Sequence, residues 1–158
     1  MKTTNRPLPV KGKAKILALL EDQRAELIDL MFQVELAHEN VKEPGFTSLH
    51  DLFDKVWEDL GKYADLIAQR IGRLGETPRE ASEWMKEKGG SSYPPAAAGG
   101  QEQVTALARR LSSFGRQIRI SKASAGEAGD RETAGLFEQI GQGLEKYLWL
   151  AEASRPSR

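Results

Sequence analysis

The sequence predicts an all-α fold, a four-helix bundle with a short extra helix in the long crossover between helices two and three. Four segments place apolar residues at the helical spacing of three and four. A 25-residue connection, residues 76–100, separates the second segment from the third, whereas a simple up-and-down bundle uses short loops throughout. The length of 158 residues suits one domain. We therefore expect a flexible basic tail at 1–13, the bundle at 14–154 and a short tail at 155–158.

The first two helices are expected to form one antiparallel pair. The first runs from about Ala14 to Val41, with one apolar stripe made of Leu17, Leu20, Leu27, Met31, Val34 and Val41. Pro44 and Gly45 end it, and Thr47 or Ser48 can cap the second helix. The second helix has the clearest pattern, which stops at Gly75 and consists of Leu49, Leu52, Phe53, Val56, Leu60, Ala64, Ile67, Ile71 and Leu74.

The crossover and the last two helices follow. A short helix is expected from Pro78 to Lys88, before the breaker-rich stretch from Gly89 to Gly100. The third long helix, about Gln101 to Ala125, carries Val104, Leu107, Leu111, Phe114 and Ile118 inward. Gly126 and Gly129 mark a turn, and the fourth helix, about Asp130 to Ala153, carries Leu136, Ile140, Leu144, Leu148 and Ala151 inward. Two antiparallel pairs joined by one long crossover are typical of a ferritin-like bundle.

Three glycines inside the fourth helix call for an explanation other than helix propensity. Gly135, Gly141 and Gly143 each cost up to ~1 kcal/mol relative to alanine. We expect them to lie at close contacts between helices.

The composition excludes several classes of protein. The chain is 39% hydrophobic and 29% charged, as in ordinary globular proteins. The longest aliphatic run, Ile16 to Leu20, is far shorter than the ~20 apolar residues of a membrane span, so no membrane partner is expected. The basic N-terminus lacks the apolar stretch of a secretory signal. The absence of cysteine excludes disulfides and thiolate metal sites and fits a reducing compartment. We expect a location in the bacterial cytoplasm or nucleoid.

The net charge of zero conceals a basic N-terminal arm. Residues 1–15 contain no acid and five bases, which are Lys2, Arg6, Lys11, Lys13 and Lys15. The rest of the chain has 18 bases and 23 acids and so carries a net charge of −5. Such an arm can bind DNA phosphates weakly, without sequence preference because it has no aromatic residue. The alternative is an arm that is basic for solubility or by chance.

Polar side chains at helical spacing form a candidate metal site. His50, Asp54, Asp65 and Gln69 stand 4, 11 and 4 residues apart and therefore share one face of the second helix. His38 ends the first helix, and the short turn brings it back beside His50. The alternative is a solvated polar face with structural histidines, which is the more frequent meaning of such spacing. Imidazole and carboxylate ligands suit iron, or zinc in the same site.

The length of the second helix decides how such a site can form. His50 and Asp65 are about 22 Å apart along the helix axis, so they cannot bind one ion within a subunit. Two second helices packed antiparallel across a two-fold axis bring the His50 end of one to the Asp65 end of the other. A di-iron centre inside the bundle needs two Glu-x-x-His pairs. Glu35 and His38 supply one pair, but the second half of the chain has no histidine, which favours the intersubunit site.

Three segments resemble the Dps family, the DNA-protection-during-starvation miniferritins. AHENVKEPGFTSLHDLFDKVWEDLGKYADLIAQRIGRLGETP is similar to the family's signature around its ferroxidase centre. GEAGDRETAGLFEQIGQGLEKYLWLAEA resembles its last helix, and SSYP also occurs in the family before the third helix. The resemblance covers about residues 15–153. It implies a hollow homododecamer that oxidises Fe(II), preferably with hydrogen peroxide, stores ferric iron and protects DNA from oxidative damage.

The resemblance also assigns the ligands. His38, His50 and Asp54 match the ligands from one subunit, and Asp65 matches one from the other. Gln69 stands where the family has a glutamate ligand, and Glu39 stands where it usually has tryptophan, as a candidate compensating carboxylate. The alternative function is therefore a DNA-binding or structural shell whose ferroxidase activity is impaired. A ferritin-like bundle of unrelated purpose is a third alternative.

An iron entry pore is expected near the turn into the last helix. Asp130 matches a pore position of the family, and Glu127 and Glu132 lie close to it in sequence. The alternative for Asp130 is a helix N-cap, which follows from the local sequence alone.

Overall fold

The structure, a computed structural model, describes residues 10–41, 47–88, 93–94 and 98–154. Its five helices are α1 (Val10–Asn40), α2 (Thr47–Arg73), α3 (Ala81–Lys88), α4 (Gly100–Glu127) and α5 (Arg131–Ala153). The described ranges contain no strand, so the predicted all-α class is confirmed. The predicted bundle is confirmed as well, because α1 packs along α2 and α4, and α5 packs along the same two helices.

Two helix starts differ from the sequence prediction. α1 begins at Val10 instead of Ala14, because a glycine in the first turn costs at most ~1 kcal/mol and does not stop the helix. Residues 10–13 of the predicted tail are therefore helical, while residues 1–9 and 155–158 lie outside the described part of the chain. α3 begins at Ala81 instead of Pro78. The backbone N–H of Arg79 donates to the carboxylate of Glu21, and its carbonyl accepts from Arg24, so this peptide is fixed to α1 outside the helix.

One core fills the space between the four long helices. The largest fully buried side chains in the described ranges are those of Phe53, Phe114, Phe137, Ile16, Leu20, Leu27, Leu30, Leu60, Ile67, Ile71, Leu107 and Leu111. Most residues predicted to point inward do so, but several lie only partly buried at the edge of this core, namely Leu17, Met31, Leu74, Leu136 and Leu148. Phe137 and Tyr147 are buried in α5 although the predicted stripe omitted them.

The glycines of α5 have different surroundings. A Cβ atom on Gly143 would collide with the Tyr63 ring of α2, and one on Gly141 would lie 3.1 Å from Ile118 of α4. The prediction of close helix contacts is confirmed at these two positions. It is wrong at Gly135, where an added Cβ would meet no heavy atom within 4 Å.

Candidate metal centre

The hairpin of α1 and α2 brings two histidines and one aspartate together. His38 lies in the last turn of α1, and His50 lies in the first turn of α2. His38 Nε2 is 3.1 Å from Asp54 Oδ1, and the two imidazole ring centroids are 5.0 Å apart. The Nε2–H of His50 donates to the carbonyl of Val41, which fixes the ring against the end of α1. The predicted juxtaposition of His38 and His50 is therefore confirmed.

His38 and Asp54 line a surface concavity that is accessible to solvent. Its lining consists of Val34, Glu35, His38, Glu39, Phe53, Asp54 and Trp57. The His38 side chain is 38% exposed and that of Asp54 is 66% exposed, so both can reach an ion from solvent. Two further carboxylates, Glu35 and Glu39, line the same concavity. We call His38, His50 and Asp54 the histidine half-site.

Asp65 and Gln69 lie farther along α2, in a different concavity. Its lining consists of Asp59, Lys62, Tyr63, Asp65, Leu66, Gln69 and Gln139. Asp54 and Asp65 are eleven residues apart on one helix, a separation of about 16 Å along its axis. Within the described ranges, no three His, Asp or Glu side chains converge closely enough to hold a metal ion. A single chain therefore presents two separate sets of donors.

Three apolar side chains of α1 and α2 are exposed on the outside of the bundle, and one of them, Trp57, lines the concavity beside His38 and Asp54. Phe32 and Trp57 are each 44% exposed, and Leu36 is 40% exposed. Phe32 and Leu36 are one turn apart on α1, and Trp57 lies one turn after Asp54 on α2. Exposed apolar side chains grouped around polar ones are typical of a surface that contacts another protein.

The residues of the predicted pore have several roles within the chain. Asp130 is 4% exposed and is the N-cap of α5, because its carboxylate accepts the Thr133 N–H at 3.0 Å. Arg70 Nη2 donates to both carboxylate oxygens of Asp130, also at 3.0 Å. The capping prediction is thus confirmed, and both oxygens of Asp130 are occupied inside the chain.

The hydrogen bonds of Asp130 outweigh the effect of its burial. Burial alone would raise its pKa, but the hydrogen bonds from Thr133 and Arg70 lower the pKa below its ordinary value. Glu132 is more exposed and binds Arg70 and Arg73. Glu127 is exposed at the end of α4. A pore lined by Glu127 and Glu132 remains a prediction.

A buried cluster that the sequence analysis missed holds the crossover on the bundle. The fully buried Asp29 of α1 accepts a hydrogen bond from the Tyr93 hydroxyl and forms an ion pair with Arg110 of α4 at 3.0 Å. Burial, and then the hydrogen bond to Asp29, raise the pKa of Tyr93. The position of Asp29 among apolar residues of α1 indicates a buried acid. Its partners could not be predicted, because Tyr93 and Arg110 are 64 and 81 residues away in the sequence.

The basic arm falls only partly within the described ranges. Lys2 and Arg6 lie outside them, and Lys11 is in α1, but its side chain is not described. Lys13 and Lys15 are in the first turns of α1. Lys13 Nζ lies beside Gly75, just after the end of α2, so this side chain packs against the helical part of the molecule. Among the described helices, none is long and apolar enough to cross a membrane.

The helix order is that of a ferritin-like bundle, and residues 17–154 match the family model described as a ferritin-like domain. The chain is 33% identical to a DNA protection during starvation protein from Agrobacterium fabrum, over 97% of this chain and 96% of the relative. It is 25% identical to one from Brevibacillus brevis, over 87% and 93% of the two chains. The chain belongs to the Dps family of miniferritins.

Solved structures agree with this assignment. A tetragonal form of Dps from Mycobacterium smegmatis superposes with a TM-score of 0.88 at 25% identity, covering 99% of this chain and 95% of that one. A Dps protein from Bacillus brevis superposes with a TM-score of 0.83 at 24% identity, covering 92% and 98% of the two chains. At 24% identity, the similarity to the Bacillus brevis protein concerns the fold alone.

Proposed function

We propose that this chain is the subunit of a homododecameric Dps-type shell in the bacterial cytoplasm or nucleoid. In this proposal the shell binds Fe(II) between subunits, oxidises it, stores ferric iron inside and protects DNA. The observation that carries it is the division of the donors along α2: the histidine half-site lies at one end, and Asp65 and Gln69 lie toward the other. Two copies placed antiparallel across a two-fold axis complete two identical sites.

The surface around the histidine half-site supports such an interface. Phe32, Leu36 and Trp57 are exposed in a single chain, and Trp57 lines the same concavity as His38 and Asp54. Burial of this apolar area stabilises a dimer by about 25 cal/mol for each Å² removed from water. The same contact excludes water from the ion and strengthens its attraction to the carboxylates.

The donor set fits Fe(II) as a substrate. Imidazole nitrogens and carboxylate oxygens are ligands that Fe(II) accepts, and Asp54 and Asp65 supply negative charge that favours the ferric product. Two Fe(II) ions each lose one electron, and hydrogen peroxide accepts both as its O–O bond breaks to give two hydroxide ions. This reaction consumes Fe(II) and peroxide together, so that fewer hydroxyl radicals form near DNA.

We expect sedimentation of the purified protein to show a particle of about 210 kDa, twelve copies of the 17.5 kDa chain. The expected cause of assembly is the burial of the exposed apolar side chains Phe32, Leu36 and Trp57 between subunits, together with the family membership. Only monomers or dimers at micromolar concentration would contradict the shell.

Replacing Gln69 with glutamate is expected to raise the initial rate of Fe(II) oxidation about tenfold or more. An ionised carboxylate binds iron and stabilises the additional charge of Fe(III), whereas the amide offers one neutral oxygen. The rate should increase more than the affinity for Fe(II), because the added charge favours the oxidised state. Stopped-flow oxidation with peroxide and anaerobic Fe(II) binding measure the two quantities.

Gln139→Glu is a matched control, because Gln139 lines the same concavity on α5 and is not a proposed ligand. A wild-type rate that is already fast and unchanged in Gln69→Glu would show that another group replaces the missing carboxylate. Shells that assemble and bind DNA but do not oxidise iron in either form would favour the second candidate function, a DNA-binding or structural shell. The observation that favours this candidate is the neutral side chain at position 69.

Deleting residues 1–9 is expected to weaken DNA retardation at low salt without preventing assembly. The deletion removes Lys2 and Arg6 and leaves the described helices intact. Neutralising Lys13 and Lys15 as well should abolish retardation, because binding depends on counterion release and on twelve arms acting together. Gel shifts at increasing salt, with DNA of two unrelated sequences, measure this. Retardation that persists in the neutralised deletion variant would place the DNA contact elsewhere.

A further inference from the structure

We propose that Glu35 is an additional metal ligand of the intersubunit site, where it replaces part of the negative charge missing at Gln69; this inference rests on the proposed function. Glu35 lines the same concavity as His38 and Asp54. It lies three residues before His38 on α1, and Glu-x-x-His is the spacing at which ferritin-like centres take a carboxylate and an imidazole from one helix. The other residue of the motif, His38, already contacts Asp54 at 3.1 Å.

The electrostatics of this region favour a cation. Glu35 and Glu39 are exposed, stand one turn apart on the same side of α1, and form no ion pair with any described residue. The C-terminal end of a helix carries partial negative charge, so two acids close to Asn40 destabilise the isolated chain slightly. A divalent ion held beside His38 removes this repulsion.

Glu35 fits the role better than its neighbour Glu39. Glu35 is offset from His38 by about 60° around the helix axis, whereas Glu39 is offset by about 100°. Its exposed side chain is free to rotate toward His38 when an ion binds. Three carboxylates then surround the ion, from Glu35, Asp54 and the other copy's Asp65. A site with glutamate at position 69 reaches the same number without Glu35.

Zn(II) titrated calorimetrically into the assembled shell at pH 7 tests the inference, because zinc binds such donors without being oxidised. We expect Glu35→Gln to lower the Zn(II) affinity about tenfold, and Glu145→Gln, an exposed glutamate of α5, to leave it unchanged. In shells that also contain Gln69→Glu, Glu35→Gln should lower the Zn(II) affinity clearly less, because the restored carboxylate makes Glu35 dispensable.

His38→Ala distinguishes an error in the assignment of Glu35 from an error in the proposed site itself. If His38→Ala abolishes Zn(II) binding but Glu35→Gln binds like the wild type, Glu35 is not a ligand and the proposed site stands. If His38→Ala leaves the affinity unchanged, the proposed site itself is wrong. If Glu39→Gln lowers the Zn(II) affinity as much as Glu35→Gln or more, the assignment is overturned and Glu39 is the ligand.

Discussion

Replacing Asp130 with alanine is expected to destabilise the folded chain by about 3–5 kcal/mol. The carboxylate is buried and forms an ion pair with the Arg70 guanidinium, which is itself only 11% exposed. Removing it leaves a buried charge without its main partner and removes the cap of α5. The expected decrease in Tm is roughly 6–20 °C for a domain of this size, measured at fixed protein concentration because the chain assembles.

Two variants separate the contributions to this loss. Asp130→Asn keeps a capping side chain and should be about 1 kcal/mol less destabilising than alanine. Glu132→Ala removes an exposed ion pair of the same arginine and should cost at most about 1 kcal/mol. If Asp130→Ala is no worse than Glu132→Ala, the buried ion pair does not stabilise the fold.

The pH dependence follows from the lowered pKa of Asp130. A carboxyl group with a lower pKa in the folded state contributes its full stabilisation above the unfolded pKa, which is 3.8. This contribution is lost as the pH falls through the folded value. The difference in unfolding free energy between the wild type and Asp130→Ala should therefore stay constant from pH 7 to about pH 5. It should decrease once the pH falls below the pKa of Asp130 in the unfolded chain.

Replacing His38 with alanine is expected to slow peroxide-driven Fe(II) oxidation about a hundredfold or more while the shell still assembles. His38 contacts Asp54 and faces His50 at a ring-centroid distance of 5.0 Å, so its removal disrupts the centre of the histidine half-site. Asp65→Asn should have a comparable effect because it removes a carboxylate from the other donor set.

A control on α2, close to the half-site, shows whether such losses are specific. Asp51 is exposed, lies next to His50 and does not line the concavity of the histidine half-site. Asp51→Asn should oxidise Fe(II) at the wild-type rate. A loss equal to that of His38→Ala would indicate a general electrostatic effect in place of ligand removal.

The sequence predicted α2 better than α1, for a physical reason. Most apolar residues of α2 lie on one side, so its pattern identifies every buried apolar position of the helix, although Trp57 is exposed and Arg70 is buried. α1 has apolar residues on several sides, because Phe32 and Leu36 are exposed while Ile16 and Leu30 face the core. Periodicity alone does not distinguish a core face from a face that another subunit covers.

The half-site was predictable because it depends on local spacing, whereas long-range ion pairs were not. The helix repeat places Asp54 one turn after His50, and a short hairpin returns the chain to His38. Arg70 and Asp130 are 60 residues apart, and no local pattern connects them. The sequence assigns Glu35 only to a centre inside the bundle, because its place in the concavity depends on how α1 packs against α2.

Shells that contain both His38→Ala and Asp65→Asn subunits show whether each metal site is shared between two chains. A mixed pair retains one intact site, formed by His38 of the Asp65→Asn chain and Asp65 of the His38→Ala chain. With random pairing, half of the pairs are mixed, so co-expressed shells should recover about a quarter of the wild-type oxidation rate, although each parent is nearly inactive. Mixed shells as inactive as both parents would contradict the account, because sites contained within single chains cannot complement each other.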